Sequence, residues 1–209
     1  MSTSNKFTLT RIILAPVIFL LFMLPKLLSM PDRSIWCVVS AVAVFPLLAI
    51  AEITDYFDGH YARKLGQVSD FGKMFDPFAD VFLHLSMFAL FAVSGRMPLL
   101  CFVLILYREF AQSFLRMVSA KEGVAIAARK GGKVKTVFYV ASCFVALITE
   151  TLARVQTAGV LADQASTFAA LMRALSLSSN VLFVVCTVLA YVSFIDYIKN
   201  FGGVFKRLM

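Results

Sequence analysis

The sequence predicts an all-α integral membrane protein with six transmembrane helices. Of its 209 residues 60% are apolar, and the mean hydropathy is +0.86. A soluble domain of this length could not bury so much apolar surface. The apolar residues form long runs separated by short polar stretches, which is the pattern of membrane-spanning helices. The length suits one compact unit, so we interpret residues 1–209 as a single membrane domain.

Six segments are long and apolar enough to be crossings, since a transmembrane helix needs about 20 mostly apolar residues. They lie at roughly residues 8–25, 35–57, 75–94, 97–119, 134–155 and 177–198. The stretch 156–176 is interrupted by Asp163 and Arg173. We therefore predict an outer loop there, with at most a short interfacial helix.

The distribution of basic residues predicts the orientation. The net charge is +8, and thirteen Lys and Arg residues lie on the side of the two termini against five on the other. Basic residues accumulate in cytoplasmic loops, so both termini are predicted to be cytoplasmic, in a multi-pass protein of the cell inner membrane. Anionic membrane lipid explains the positive charge better than nucleic acid does. The four cysteines lie in or beside apolar segments and are interpreted as reduced packing residues.

Four aspartates stand at the ends of two successive apolar segments. Asp55 and Asp58 are three residues apart, and Asp76 and Asp80 are four apart. On a helix each pair shares one face. The polar loop between the segments turns the chain back, so the two pairs can face each other. Four such carboxylates would repel strongly in a low dielectric unless protons or cations neutralise them.

Two divalent ions would supply the four positive charges that this group needs. Hard oxygen ligands favour Mg²⁺ or Mn²⁺ over zinc, for which the sequence offers no Cys/His cluster. Two metals about 3.5–4 Å apart can hold a pyrophosphate and stabilise the attacking and leaving oxygens together. The aspartates therefore favour phosphoryl-transfer chemistry.

The complete spacing resembles the signature of the CDP-alcohol phosphotransferase family, and reads Asp55-x2-Asp58-Gly59-x2-Ala62-Arg63-x8-Gly72-x3-Asp76-x3-Asp80. The resemblance implies metal ligation by all four aspartates, with Asp80 also the general base, around a polar cavity open to the cytoplasm. It also implies a homodimer and a set of residues that bind the nucleotide and phosphates of the donor, namely Gly59, Ala62, Arg63, Ser69 and Gly72. Glycine permits close approach and arginine suits phosphate.

Further stretches resemble the phosphatidylglycerophosphate synthase branch of that family: residues 7–12, 108–117, 122–128 and 130–136. This resemblance implies that CDP-diacylglycerol is the donor, glycerol 3-phosphate is the acceptor and CMP is released. Val81 departs from it, because that branch commonly has lysine there. Cations in and beside the fourth and fifth segments are predicted to bind the acceptor phosphate, namely Arg108, Arg116, Lys130, Lys133 and Lys135.

Several alternatives stay open at this stage. Arg108 could pair with Glu109 or a backbone carbonyl, and Arg116 could extend to the headgroups. His84 is interpreted as a packed polar residue. Another family member would use inositol phosphate, phosphatidylglycerol or another alcohol as acceptor. A more remote alternative is a divalent-cation transporter, which is disfavoured because the carboxylates lie at helix ends beside Arg63 rather than at the membrane midplane.

Overall fold

A computed structural model describes residues 3–64, 70–121, 130–160 and 165–206. Within those ranges the protein is all-helical, which confirms the predicted fold class. The helices are α1 (Thr3–Leu27), α2 (Ile35–Lys64), α3 (Asp70–Val93), α4 (Leu99–Lys121), α5 (Lys130–Thr157) and α6 (Ala165–Lys206). Five of the six, all but α4, are long and apolar enough to cross a membrane.

Helix α4 has the length of a crossing but carries charge in its interior. Its 23 residues extend about 35 Å, against a hydrocarbon core of about 30 Å. Arg108, Glu109 and Arg116 interrupt its apolar sequence. Two of these side chains, Arg108 and Glu109, are 2% exposed, so their charges face the protein interior rather than lipid.

Helix α6 corrects one expectation. The stretch 156–176 was predicted as an outer loop, yet residues 165–176 belong to a single helix of 42 residues. That helix is about 63 Å long and exceeds the membrane thickness. The prediction was wrong because a single charged residue, Arg173, does not interrupt the mostly apolar helical segment Thr167–Asn200.

The core of the bundle is built around α3. Helix α1 packs against α2 and α3, α4 lies against α3 and α6, and α5 contacts α2, α3 and α6. Phe88 of α3 makes edge-to-face contacts with Tyr139 of α5 at 4.9 Å and with Phe183 of α6 at 5.4 Å between ring centroids. Such aromatic pairs add to the stabilisation that comes from burial. The four cysteines are free and buried, as predicted.

Three helices end in the same kind of cap. Gly95 (φ 72°), Gly159 (φ 77°) and Ser29 (φ 51°) adopt left-handed backbone conformations just after α3, α5 and α1. After α3 the Arg96 amide donates to the Phe91 carbonyl at 2.7 Å, which is the long hydrogen bond of a Schellman motif. Glycine suits the position because it has no Cβ to strain. These caps fix the chain at the end of the bundle that α1, α3 and α5 reach together.

The outer surface of the bundle is apolar. Leu20 of α1, Val137 of α5 and Val188 of α6 are each more than half exposed, at 56%, 66% and 57%. In water such a surface would favour association, whereas in a bilayer it contacts lipid chains. Together with the five apolar helices, this surface defines a multi-pass integral membrane protein.

Candidate active site

Three of the four predicted metal-ligating aspartates meet at one end of the bundle. Asp55 lies on α2, and Asp76 and Asp80 lie one turn apart on the same face of α3. One carboxylate oxygen from each falls within 4.8 Å of the others. Their side chains are 33%, 37% and 30% exposed, so the group is half-buried and can be reached from outside. The aspartate spacing in the sequence therefore predicts the positions of these three side chains correctly.

Arg11 occupies the centre of this group. Its Nη1 donates to Asp55 Oδ1 at 2.5 Å and also to Asp80, and its Nη2 donates to Asp76. The Arg11 side chain is 1% exposed. It reaches all three carboxylates because α1 packs against both α2 and α3. Guanidinium–carboxylate bonds of this kind are among the stronger protein hydrogen bonds.

Arg11 is the site residue that the sequence interpretation missed. It was counted with the basic residues at the cytoplasmic end of the first segment. A signal was present, since Arg11 is followed by fourteen residues without a charged side chain, through Pro25. A charge inside an apolar helix is by default a candidate functional residue, and this rule would have selected Arg11.

The chemistry of the site fits a divalent metal. Arg11 cancels one of the three negative charges on Asp55, Asp76 and Asp80, which leaves an excess of two in a half-buried environment. Six carboxylate oxygens form the hard donor set that Mg²⁺ and Mn²⁺ prefer. At these short separations the three ionised carboxylates would repel one another strongly without further cations. The described residues therefore fit the predicted metal site.

Several predicted site residues lie partly or wholly outside the described structure. Ser69 falls in the undescribed stretch 65–69. Other predicted residues belong to described helices, but their side chains are not described, namely Asp58, Gly59, Ala62, Arg63, Lys130 and Lys133. Gly72 lies half-buried in the first turn of α3, on the helix that carries Asp76 and Asp80. The roles given to these residues stay predictions.

His84 and Glu52 lie directly beside the carboxylate group. Nδ1 of the buried His84 is 2.8 Å from the backbone carbonyl of Asp80, and its Nε2 is 3.4 Å from Glu52 Oε1. The His84 ring also packs against Phe88 and Tyr139. These contacts are those of a packed polar residue, as the sequence indicated. They fix the part of α3 that presents Asp80.

A second polar cluster fills the space between α4, α5 and α6. Glu109 accepts from Arg108 Nη1 and from Lys135 Nζ, both at 2.7 Å, and from Tyr139 Oη at 2.9 Å. Arg108 also donates to Ser193 Oγ at 2.7 Å and to the Ala190 carbonyl at 2.9 Å. The alternative that Arg108 pairs with Glu109 and a backbone carbonyl is therefore confirmed.

This cluster lies next to Asp80. Asp80, Glu109, Lys135 and Tyr139 line one cavity of about 20 Å³, which has room for about one water molecule. The structure thus brings Lys135 close to the predicted base, while the half-buried Arg116 lies farther along α4 near Tyr197. Among the described side chains the polar cavity open to the cytoplasm, which the family resemblance implies, is not seen. Binding of the acceptor by these cations stays a prediction.

Glu109→Gln is expected to lower the free energy of unfolding by about 3–5 kcal/mol, because it leaves Arg108 and Lys135 buried together without their shared anion. Thermal unfolding in detergent measures the loss. The double variant Glu109→Gln/Lys135→Met should recover part of it, since one of the unpaired cations is gone. A single variant as stable as the unmodified protein would contradict this view of the cluster.

Comparison with known proteins identifies the family. A model of the CDP-alcohol phosphatidyltransferase family matches residues 1–168. A Treponema pallidum protein named CDP-diacylglycerol–glycerol-3-phosphate 3-phosphatidyltransferase is 37% identical over 210 residues, covering 100% of this chain and 93% of that relative. A Bacillus subtilis protein of the same name is 39% identical over 135 residues, covering 63% of this chain and 69% of the relative.

A Mycobacterium tuberculosis protein named probable phosphatidylglycerophosphate synthase is also similar, at 36% identity over 133 residues, or 64% of this chain and 59% of the relative. The membrane fold, the aspartate group and these matches agree. The chain belongs to the CDP-alcohol phosphatidyltransferase family and is therefore a transferase. The resemblance inferred from the aspartate spacing is confirmed.

Proposed function

We propose that this protein transfers a phosphatidyl group from CDP-diacylglycerol to the hydroxyl of sn-glycerol 3-phosphate and releases CMP. The observation that carries the proposal is the meeting of Asp55, Asp76 and Asp80 at one end of the bundle. The printed name of a relative that aligns over the whole chain supports the choice of substrates.

In the proposed reaction Asp80 accepts the proton of the acceptor hydroxyl. The hydroxyl oxygen forms a bond to the lipid-side phosphorus of the donor, and the bond between that phosphorus and the bridging oxygen breaks. CMP leaves with the bridging oxygen, and the proton on Asp80 passes to water. Asp80 suits this role because its carboxylate is 30% exposed and lies beside the small cavity shared with Lys135.

Asp55, Asp76 and Asp80, with Asp58 on the next turn of α2, would hold the metal, which we propose is a pair of Mg²⁺ or Mn²⁺ ions. Bound there, the ions supply positive charge to the pyrophosphate as negative charge develops on it. The side chains themselves fix the position of that charge, since α2 and α3 both pack against α1. Arg63, which follows Asp58 by five residues, is the proposed contact to the donor phosphates.

CMP release by the purified protein tests the assignment. With CDP-diacylglycerol and Mg²⁺, we expect release with glycerol 3-phosphate and none with inositol 1-phosphate, inositol, serine or phosphatidylglycerol. EDTA should abolish the release, and Mg²⁺ or Mn²⁺ should restore it, because the carboxylates repel without cations. If CMP is released with a different acceptor, the proposed reaction class stands and the proposed acceptor is wrong. Activity that persists in EDTA would contradict the metal site.

The orientation and assembly are also proposed. We infer six crossings, with both termini on the cytoplasmic side of the inner membrane. The excess of basic residues on that side supports this orientation. The internal pairing of the α4 charges supports counting α4 as the sixth crossing. Because the native cysteines are buried, an impermeant thiol reagent acting on Lys6→Cys would test it. A homodimer is proposed from the family resemblance, and crosslinking in membranes measures it.

A further inference from the structure

The end of the bundle opposite the aspartates holds a pocket of about 460 Å³ between α1, α2, α3 and α5, which we name the distal pocket. Cys37, in its lining, precedes Asp55 by 18 residues on α2, and Val93 follows Asp80 by 13 residues on α3. At 1.5 Å per residue these separations are about 27 Å and 20 Å. The distal pocket therefore lies at the other membrane interface, away from the site of the proposed reaction.

One wall of the distal pocket is a largely buried ion pair that joins three helices. Arg154 Nε donates to Glu150 Oε1 at 2.8 Å, and its Nη1 donates to the Cys37 carbonyl and to Ser40 Oγ, both at 3.0 Å. The Arg154 guanidinium also lies 4.0 Å from the centre of the Phe22 ring. These contacts hold Arg154 in a fixed position, so this wall is preformed.

Arg96 has more unused donors than Arg154, whose Nε and Nη1 are both bonded. Arg96 Nε donates to Glu150 Oε2 at 2.8 Å, and its backbone carbonyl accepts from Ser179 Oγ at 3.0 Å. Among the described residues, its two terminal NH₂ groups have no hydrogen-bond partner. The Arg96 side chain is 21% exposed and lines the distal pocket. The cap at Gly95 fixes the backbone that presents it.

The charges lining the distal pocket favour one negative ligand. Lys26, Arg96 and Arg154 contribute three positive charges, and Asp32 and Glu150 contribute two negative charges. One positive charge is left over. Lys26 is exposed in the last turn of α1, and it has no ion-pair partner in the part of the chain that the structure describes. A phosphodiester carries one negative charge and offers the oxygen geometry that arginine binds well.

The rest of the lining and the depth of the distal pocket point to a lipid. Phe22, Met23 and Val93 add an apolar wall beside the cations. Trp36, next to Cys37, is 60% exposed at the start of α2, and exposed tryptophan is typical of the headgroup level of a membrane. The volume suits a headgroup, and the exposed apolar side chains of Leu27 and Ile35 can contact acyl chains outside it.

We propose that the distal pocket binds the phosphate of an anionic phospholipid headgroup, with the free donors of Arg96 and the ammonium of Lys26 contacting its oxygens. A zwitterionic headgroup carries its own cation and gains less from the excess positive charge. Because this site uses none of the residues that carry the proposed reaction, it stands or fails independently of the proposed function.

The single tryptophan of the chain supplies a local readout, since Trp36 lies beside the distal pocket. In vesicles, its fluorescence is compared during quenching by phosphatidylglycerol and by phosphatidylcholine, each with brominated acyl chains. We expect phosphatidylglycerol to quench at a lower mole fraction. Arg96→Gln and, separately, Lys26→Gln should each reduce this preference, by about fivefold for one cation near an anionic lipid. Lys26→Gln breaks no hydrogen bond among the described residues, so it tests the pocket even if Arg96→Gln is unstable.

Arg33→Gln is the matched control, because Arg33 is an exposed cation close to Trp36 in sequence that does not line the distal pocket. It should keep the preference for phosphatidylglycerol. Equal quenching by the two lipids, or a preference that survives both pocket variants, would overturn the proposal. Loss of the preference on adding inorganic phosphate at constant ionic strength would assign the pocket to soluble phosphate and overturn the lipid assignment.

Discussion

Asp80→Asn is expected to reduce CMP release about a thousandfold or more while the protein remains folded. A positioned general base typically contributes a factor of about 10²–10⁴, and this substitution also removes a carboxylate from the metal group. Asparagine has nearly the same shape and can still face Arg11. The Asp80 side chain is 30% exposed, so the change leaves no deeply buried group without a partner. Single-turnover CMP release and thermal unfolding measure the two effects.

The companion variant Asp76→Asn separates the two roles of Asp80. Asp76 is proposed as a metal ligand only, so raising the Mg²⁺ concentration should restore much of its activity. Asp80→Asn should stay inactive at every Mg²⁺ concentration, because no metal replaces the missing base. Asp32→Asn, on the exposed loop at the opposite end of the bundle, is the matched control and should leave CMP release unchanged. If high Mg²⁺ restores CMP release by Asp80→Asn, Asp80 is a metal ligand only and not the general base.

The helices and the carboxylate group were predictable because both follow from short-range periodicity. A crossing is a run of about 20 apolar residues, and residues four apart share a helix face, so the pairing of Asp76 with Asp80 needs no knowledge of tertiary structure. The approach of Asp55 on α2 to the aspartates of α3 also followed, since the short polar loop between the two segments was expected to turn the chain back. The three predicted ligands with described side chains, Asp55, Asp76 and Asp80, lie where the spacing predicts them.

Contacts between distant segments were not predictable in the same way. Arg11 reaches Asp80 across 69 residues, and Lys135 reaches Glu109 across 26. Neither contact leaves a periodic pattern, because both depend on which helices pack together. The charges of Arg108 and Lys135 suggested a phosphate site from the sequence, whereas the structure shows both bonded to Glu109. The pairing of Arg108 with its sequence neighbour Glu109 was foreseen as an alternative, whereas the bond from Lys135 to Glu109 depends on where the fold places α5 relative to α4.

Arg11→Gln is expected to destabilise the metal-free protein. It should also increase the rise in Tm that Mg²⁺ produces. Without the guanidinium, three carboxylates face one another with no cation. The free energy of unfolding should fall by about 2–3 kcal/mol, a value between those for exposed and for buried ion pairs. An intermediate value is expected because Arg11 is buried and the aspartates are about one-third exposed. Glutamine keeps much of the packing of the side chain, so the change isolates the charge.

Thermal unfolding in EDTA and in Mg²⁺ measures both parts of this prediction. A metal that binds only the folded state raises stability in proportion to the logarithm of its concentration over its Kd. Arg11 competes with metal for the same oxygens, so Mg²⁺ should raise the Tm of Arg11→Gln more than that of the unmodified protein. Lys6→Gln, an exposed change on the same helix, should show neither effect. If Mg²⁺ shifts the Tm of Arg11→Gln and of the unmodified protein equally, the carboxylates that Arg11 holds are not the metal site.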